Sequence, residues 1–283
     1  HSTSRRQRQM CIRDRYSILI PRGESAMIKN ITLLDSILDV ANCVDINDNN
    51  TYIARKVIEN CVWLKDMSLE DFLETTNING SQFKRFYKLY DCNNFSILKE
   101  RIGLWCDIRK EQVVKQCQWQ KQEPLARVIF NLTNYNDFND FFNVELIDRI
   151  CKQIYQSKRI IMYGAMGLLN LTHDFQIDMK LFGKNFIRSS MYEDKALVPQ
   201  KDDFVWLFSM MGRTMNMVGT TMRLKIFNGP CKKLLITQHG ALLESDFLIS
   251  LNTDNDYYEG QYVFMFYLDM IKTRYYELYI KEN

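Results

Sequence analysis

Two stretches of the chain carry side chains able to hold an anion. "FSMMGRTMNM" places Ser209, Gly212 and Thr214 directly after the apolar run 204–208, and "YGAMGLLNLTHDF" places Gly164 and Gly167 directly after another. Hydroxyls, and backbone N–H groups left uncovered by glycine, are the donors that cradle a phosphate near a helix N-terminus. Met210 and Met211 stand in the middle of the first loop and bring no such donor. Acid–base chemistry at these loops would need a titrating side chain beside them, and the candidates are His173, Asp174, His239 and Glu244. A third stretch, "NGSQFKRFYKLY" (79–90), holds Lys84, Arg85 and Lys88 and no acid, whereas the segment before it holds Glu70, Asp71 and Glu74. Such a basic, amide-bearing segment suits phosphate and base-edge contacts on DNA.

The elements that position these groups differ between the two halves. In "TYIARKVIENCVWL" the residues Ile53, Val57, Ile58, Cys61 and Leu64 recur at helical spacing. Ser68 with Asp71 three positions on is a shortened capping box, which predicts a helix from Ser68 to about Thr75. Asn77 suits a left-handed turn, and Asn79 suits the N-cap of a third helix through Tyr90. Helix, short turn with apolar Ile78, helix is the helix-turn-helix pattern. Phe83, Phe86 and Leu89 would face the core, leaving Gly80, Ser81, Gln82, Lys84 and Arg85 toward DNA. An ordinary three-helix packing unit with a solvated basic face has the same spacing. Leu104 to Glu123 reads as a polar helix or linker, with Pro124 marking a break, and helical periodicity returns at Val144, Ile147, Ile150, Cys151 and Ile154.

Beyond Lys158 the texture changes to short apolar runs separated by helical stretches: 159–163, 185–188, 204–208, 233–237 and 247–251. Continuous apolar strands alternating with helices predict an α/β domain, a flavodoxin-like doubly wound five-stranded parallel sheet. Its ligand site lies where the strand order reverses, outside the carboxyl ends of strands one and three, which carry the two glycine-bearing loops. A final aromatic segment has a stripe of Val263, Phe264, Tyr267, Leu268 and Ile271, the pattern of a helix that covers a sheet.

Composition bounds these readings. The 283 residues are 46% hydrophobic and 25% charged, enough apolar content for two folded domains. The formal charge of +3 has a local source, because residues 1–26 hold six arginines against Asp14 and Glu24, and the remainder is near neutral. The text "RQRQMCIRDR" resembles translated adapter sequence more than a targeting signal, and "PRGES" ahead of Met27 can encode a purine-rich ribosome-binding site. Residues 1–26 are therefore expected to be a non-native leader, with translation starting at Met27. The eight cysteines show no CxxC pair and no metal spacing, so free thiols, no metal and no cofactor are expected. Without an apolar run of membrane length, a cytoplasmic protein without membrane contact is expected.

From about Thr51 to Leu98 the chain resembles, without gaps, the N-terminal domain of the RpiR/MurR family of bacterial phosphosugar-responsive transcription regulators. The resemblance rests on "MSLEDF", "IN" with the following Ser81, "KRF" at 84–86, and Phe95 with "LKE". Leu73 stands where the family usually has alanine, and Asp91 where it has a helix-ending glycine. The two glycine-bearing loops resemble, in the same order, the GxGxS and SxSGxT loops of the sugar isomerase (SIS) domain that follows in that family. Gly164, Ser209, Gly212 and Thr214 are kept, while Met166, Leu168 and Met211 replace a glycine and two serines.

The resemblance implies a helix-turn-helix domain over 27–108, a linker over 109–124 and an SIS effector and dimerisation domain over 125–283. It implies double-stranded operator DNA as partner, contacted by Asn79, Ser81, Gln82, Lys84, Arg85 and Lys88. It further implies a phosphosugar or an altered small-molecule effector at Gly164, Gly167, Ser209, Met211, Gly212 and Thr214, control of sugar or amino-sugar genes, and a homodimer or homotetramer. Losing two charge-assisted hydrogen bonds of roughly 1.5–3 kcal/mol each would weaken phosphate binding by orders of magnitude, so the effector site is expected to be degenerate. Two alternatives stay open: an SIS-fold phosphosugar isomerase or deaminase, and a DNA-free dimerisation protein. The damaged cradle and the preceding DNA-type module favour a protein that is not an enzyme.

Overall fold

The computed structural model describes residues 33–43, 48–164, 166–189, 196–210, 225–226, 228–238, 245–254 and 257–281. Its first half is helical: α1 (Leu33–Ala41), α2 (Asn49–Asn60), α3 (Leu69–Thr76), α4 (Gly80–Lys88) and α5 (Phe95–Gln116), with a 3-10 turn at Leu64–Asp66. The helical stripe of Ile53, Val57, Ile58, Cys61 and Leu64 is buried, against Leu34, Ile37 and Leu38 of α1 among others.

The start and stop signals act as the sequence predicts. Ser68 caps α3 by accepting the Asp71 N–H at 3.0 Å, while the Asp71 carboxylate accepts the Ser68 N–H at 3.2 Å, a complete capping box. Asn77 ends α3 in the left-handed region at φ 52°, and the Asn79 carboxamide oxygen accepts from the N–H groups of Ser81 and Gln82. Asp91, at the position of the expected glycine, also adopts a positive φ of 57°, which aspartate tolerates better than most residues.

Two expectations need correction here. Leu89 does not face the core: it is 56% exposed, and Tyr87 is buried beside Phe83 and Phe86. At 100° per residue Leu89 lies roughly 120° away from Phe83 around the helix, whereas Tyr87 lies roughly 40° away. Pro124 does not mark a break either. It occupies the first turn of α6 (Gln122–Phe130), where its missing N–H has no intrahelical partner to lose. The break falls at Cys117–Gln118, and the stretch expected as linker is helical up to Gln116.

After α6 come α7 (Phe138–Phe141) and α8 (Val144–Gln156), and then the sheet: β1 (Arg159–Gly164), α9 (Met166–Leu171), α10 (His173–Leu181), β2 (Phe186–Ser189), β3 (Asp203–Ser209), β4 (Lys232–Thr237), β5 (Phe247–Ser250) and α11 (Tyr257–Tyr279). All strand pairs are parallel and the order is 2-1-3-4-5, the flavodoxin-like doubly wound arrangement.

Central β3 is buried on both faces, as its unbroken apolar run requires. Phe204, Trp206 and Phe208 point into a core shared with α8, α10 and α11. Val205 and Leu207 point into a smaller one with Ile161, Tyr163 and Leu235. The α11 stripe of Val263, Phe264, Tyr267, Leu268 and Ile271 lies in the larger core, as its spacing predicts.

The two halves share a seam along α10. Ile177 and Leu181 belong to the core of the N-terminal helices, and the Gln176 and Asn42 carboxamides exchange hydrogen bonds at 3.0 and 3.2 Å. Lys180 donates to the Glu59 carbonyl at 2.6 Å, and burial lowers its pKa from the usual lysine range. At the buried Asp178 carboxylate, Arg109 of α5 arrives at 2.8 Å and Lys272 of α11 at 3.2 Å.

Candidate functional site

The strand order reverses between β2 and β3, so the carboxyl ends of β1 and β3 lie side by side there. Gly164 ends β1 opposite Phe208. A Cβ at 164 would stand 2.7 Å from the Phe208 Cβ and 2.9 Å from its carbonyl oxygen, so only glycine lets the two strands converge at this point.

Ser209 ends β3 and is 1% exposed. Its carbonyl accepts the Thr237 hydroxyl at 2.8 Å, and among the described residues its own Oγ has no hydrogen-bond partner. Gln238, next on β4, is equally buried. Its amide donates to the carbonyls of Thr253 (3.1 Å) and Asp254, while its Oε1 is unpartnered among the described residues. Two buried polar atoms with open valences thus stand at the ends of adjacent strands, an arrangement that native proteins reserve for a reason.

Met210 is buried and reaches across to the first turns of α11, where a Cβ at Gly260 would overlap its methyl group. Methionine here is packing, the flexible filler between the end of β3 and α11. Leu168 is likewise sunk in the larger core. Gly167 lies exposed on α9. Met211, Gly212 and Thr214 lie outside the described residues, as do His239 and Glu244.

Of the remaining acid–base candidates, His173 is drawn to the seam, its ring nitrogens 3.5 Å from Asp39 and 3.7 Å from Asp35 of α1. Asp174 is exposed, 3.9 Å from Arg109. Among the described residues neither forms a hydrogen bond or ion pair with Ser209 or Gln238. Gln238 was missed in the sequence, where it follows "KLLIT" without distinction. Arg188, a charge ending the apolar run "NFIR", was a visible signal left unread.

On the helical half, Asn79, Ser81, Gln82, Lys84, Arg85 and Lys88 are all exposed on one surface of α4. None of Lys84, Arg85 and Lys88 forms an ion pair among the described residues. The helix is seated by Phe83, whose ring centroid is 4.8 Å from that of Phe72 and 5.7 Å from that of Phe95. Leu73 fits because Gly80 faces it: a Cβ at 80 would stand 3.3 Å from the Leu73 methyl.

No family model matches the chain, and no curated protein does. Among solved structures, the Vibrio vulnificus NanR protein complexed with ManNAc-6P is similar at 13% identity over 89% of this chain and 93% of that one, with a TM-score of 0.39. A Methanococcus jannaschii protein, whose structure was described as inferring 3-hexulose-6-phosphate isomerase function, is similar at 15% identity over 56% of this chain and 87% of that one, with a TM-score of 0.38. Scores this low at such identities carry no function over to this chain. Among the described residues no helix is long and apolar enough to cross a membrane.

Proposed function

We propose that this chain is a DNA-binding transcription regulator of the RpiR type, with α3 and α4 as its helix-turn-helix and the parallel sheet as an SIS-type effector domain whose phosphosugar cradle is degenerate. The observation that carries the proposal is α4 itself. It is a capped helix seated by Phe83 and Phe86, it follows a left-handed Asn77 turn closed by buried Ile78, and it presents Ser81, Gln82, Lys84, Arg85 and Lys88 to solvent with no acid among them. An amide with hydroxyl and cationic groups on one exposed face can read base edges and hold phosphates. Operator DNA as partner, control of sugar or amino-sugar genes, and a two-fold assembly matching two half-sites belong to this reading. Leu168, buried in the core where the resembled loop carries a serine, supports an effector other than an ordinary phosphosugar.

Fluorescence anisotropy on the DNA upstream of the chain's own gene, at several salt concentrations, tests the proposal. Wild type should bind specifically. Lys84→Ala and Arg85→Ala should each weaken binding, and a substitution that removes one phosphate contact should lower the salt slope by about one. Unchanged affinity and slope in the double variant would remove α4 as the reader. Turnover of hexose phosphates by the purified protein would instead favour the enzyme reading.

A further inference from the structure

Three half-buried arginines of this chain are each neutralised by a carboxylate. Arg159 makes a two-pronged pair with Asp203 at 2.7 and 2.9 Å, Arg274 does the same with Asp148 at 2.6 and 2.9 Å, and Arg109 meets Asp178 at 2.8 Å. Arg188 differs from these three. It is the one arginine among the described residues that is buried, at 8% exposure, yet no carboxylate lies within ion-pair distance of it among those residues. Its Nε donates to the Thr172 hydroxyl at 3.2 Å and one terminal nitrogen to the Asn170 carboxamide oxygen at 3.4 Å, both neutral acceptors, and the other terminal nitrogen, Nη2, has no partner among the described residues. A buried cation with open donors is strongly disfavoured unless an anion completes it.

The place is also informative. Arg188 lies near the carboxyl end of β2, paired with Met162, two residues before Gly164. Strand spacing puts its Cα roughly 8 Å from that of Gly164. Its two acceptors, Asn170 and Thr172, lie at the end of α9 and just beyond it, the helix that follows the Gly164 loop. We infer that Arg188 anchors a subsite for an anionic group, a phosphate ester or a carboxylate, presented by a small ligand at the carboxyl end of β2. The planar fork of the guanidinium, with one edge unoccupied, fits either group in two-pronged fashion. Burial lowers its pKa to about 10 against the opposing influence of Asp39, so the group stays charged at neutral pH. The inference rests on the effector-domain reading above and deepens it: the charge recognition that the altered serine and threonine loops no longer supply is taken over by an arginine on the neighbouring strand.

The test is scanning fluorimetry of the full chain in sodium phosphate against sodium chloride at matched ionic strength, followed by glucose 6-phosphate against glucuronate. Wild type should show an apparent Tm higher in the binding anion by about 3 °C at tenfold excess over Kd, and the stronger of the two sugar arms names the group. Arg188→Met should lose the rise while keeping at least the wild-type Tm in chloride, since it removes an uncompensated buried charge. A wild type indifferent to all these anions, or an Arg188→Met that responds as wild type does, overturns the inference. Should Arg188→Met fail to fold, Arg188→Lys decides: it retains the charge without the fork, so a diminished response supports the inference and an undiminished one overturns it. DNA anisotropy run in parallel separates the two proposals, because loss of DNA binding by a protein that still responds to anions removes the regulator reading and leaves the subsite.

Discussion

Replacing Asp178 with alanine should loosen the seam between the two halves more than any other single charge deletion. The carboxylate side chain is 1% exposed and joins three elements: α10, which carries it, α5 through Arg109 at 2.8 Å, and α11 through Lys272 at 3.2 Å. At an effective dielectric of about 20 each attraction is worth roughly 5–6 kcal/mol in gross terms, before several kcal/mol of desolvation is subtracted. Deleting the shared partner leaves Lys272 with Asp269 at 3.0 Å and Arg109 with Asp174 at 3.9 Å, so the measured range of about 3–5 kcal/mol for breaking a buried pair is an upper bound. Because the Arg109 side chain keeps 21% exposure and the Lys272 side chain 11%, water relieves part of that penalty, and the lower end, about 3 kcal/mol, is the expected loss. Arg109→Ala or Lys272→Ala leaves Asp178 with one partner and should cost about 1.5–3 kcal/mol. Urea unfolding followed by circular dichroism, with the thermal midpoint alongside, measures all three variants; 3 kcal/mol corresponds to an apparent Tm lower by about 6–12 °C. An Asp178→Ala loss below about 1 kcal/mol, or one no greater than that of Arg109→Ala, would refute the node as the tie between the halves.

Two further outcomes follow from local geometry. Gly260→Ala drives a methyl against the flexible end of the Met210 side chain, so an overpacking cost of about 1–3 kcal/mol is offset by about 0.5–1 kcal/mol of helix propensity; Met210→Ala in the same chain should relieve the clash, and a non-additive double-mutant cycle in thermal unfolding is the check. The Asp71 carboxylate is held below the usual carboxylate range by the Ser68 hydroxyl and then by the Ser68 N–H. A depressed folded pKa means the cap's ionic contribution is complete above the unfolded value of about 3.9 and disappears as pH falls through the folded one. The Tm difference between wild type and Ser68→Ala should accordingly be constant near neutral pH and shrink on acidification below about pH 4; a difference that grows on acidification would contradict the assignment.

Local rules make much of this protein legible from its sequence. Short apolar runs separated by helical stretches are the pattern of strands in a covered parallel sheet, and the five stretches read this way are the five strands observed, in parallel. Ser68, Asn77 and Asn79 act on backbone groups within three residues of themselves, so the α3–α4 turn needed no distant information. What the chain alone left undecided depends on which elements meet. Leu89 is exposed because Tyr87 lies nearer the buried stripe on a helix that ends at Lys88. His173 goes to the seam because α1 brings Asp35 and Asp39 to it. Met210 is a filler because Gly260, fifty residues on, leaves room for its methyl group, and among the described residues Arg188 has Thr172 and Asn170 as its hydrogen-bond acceptors rather than a carboxylate. Spacing along a chain fixes which face a side chain takes; only tertiary packing decides what stands opposite, and whether a charge or a hydroxyl finds its partner there.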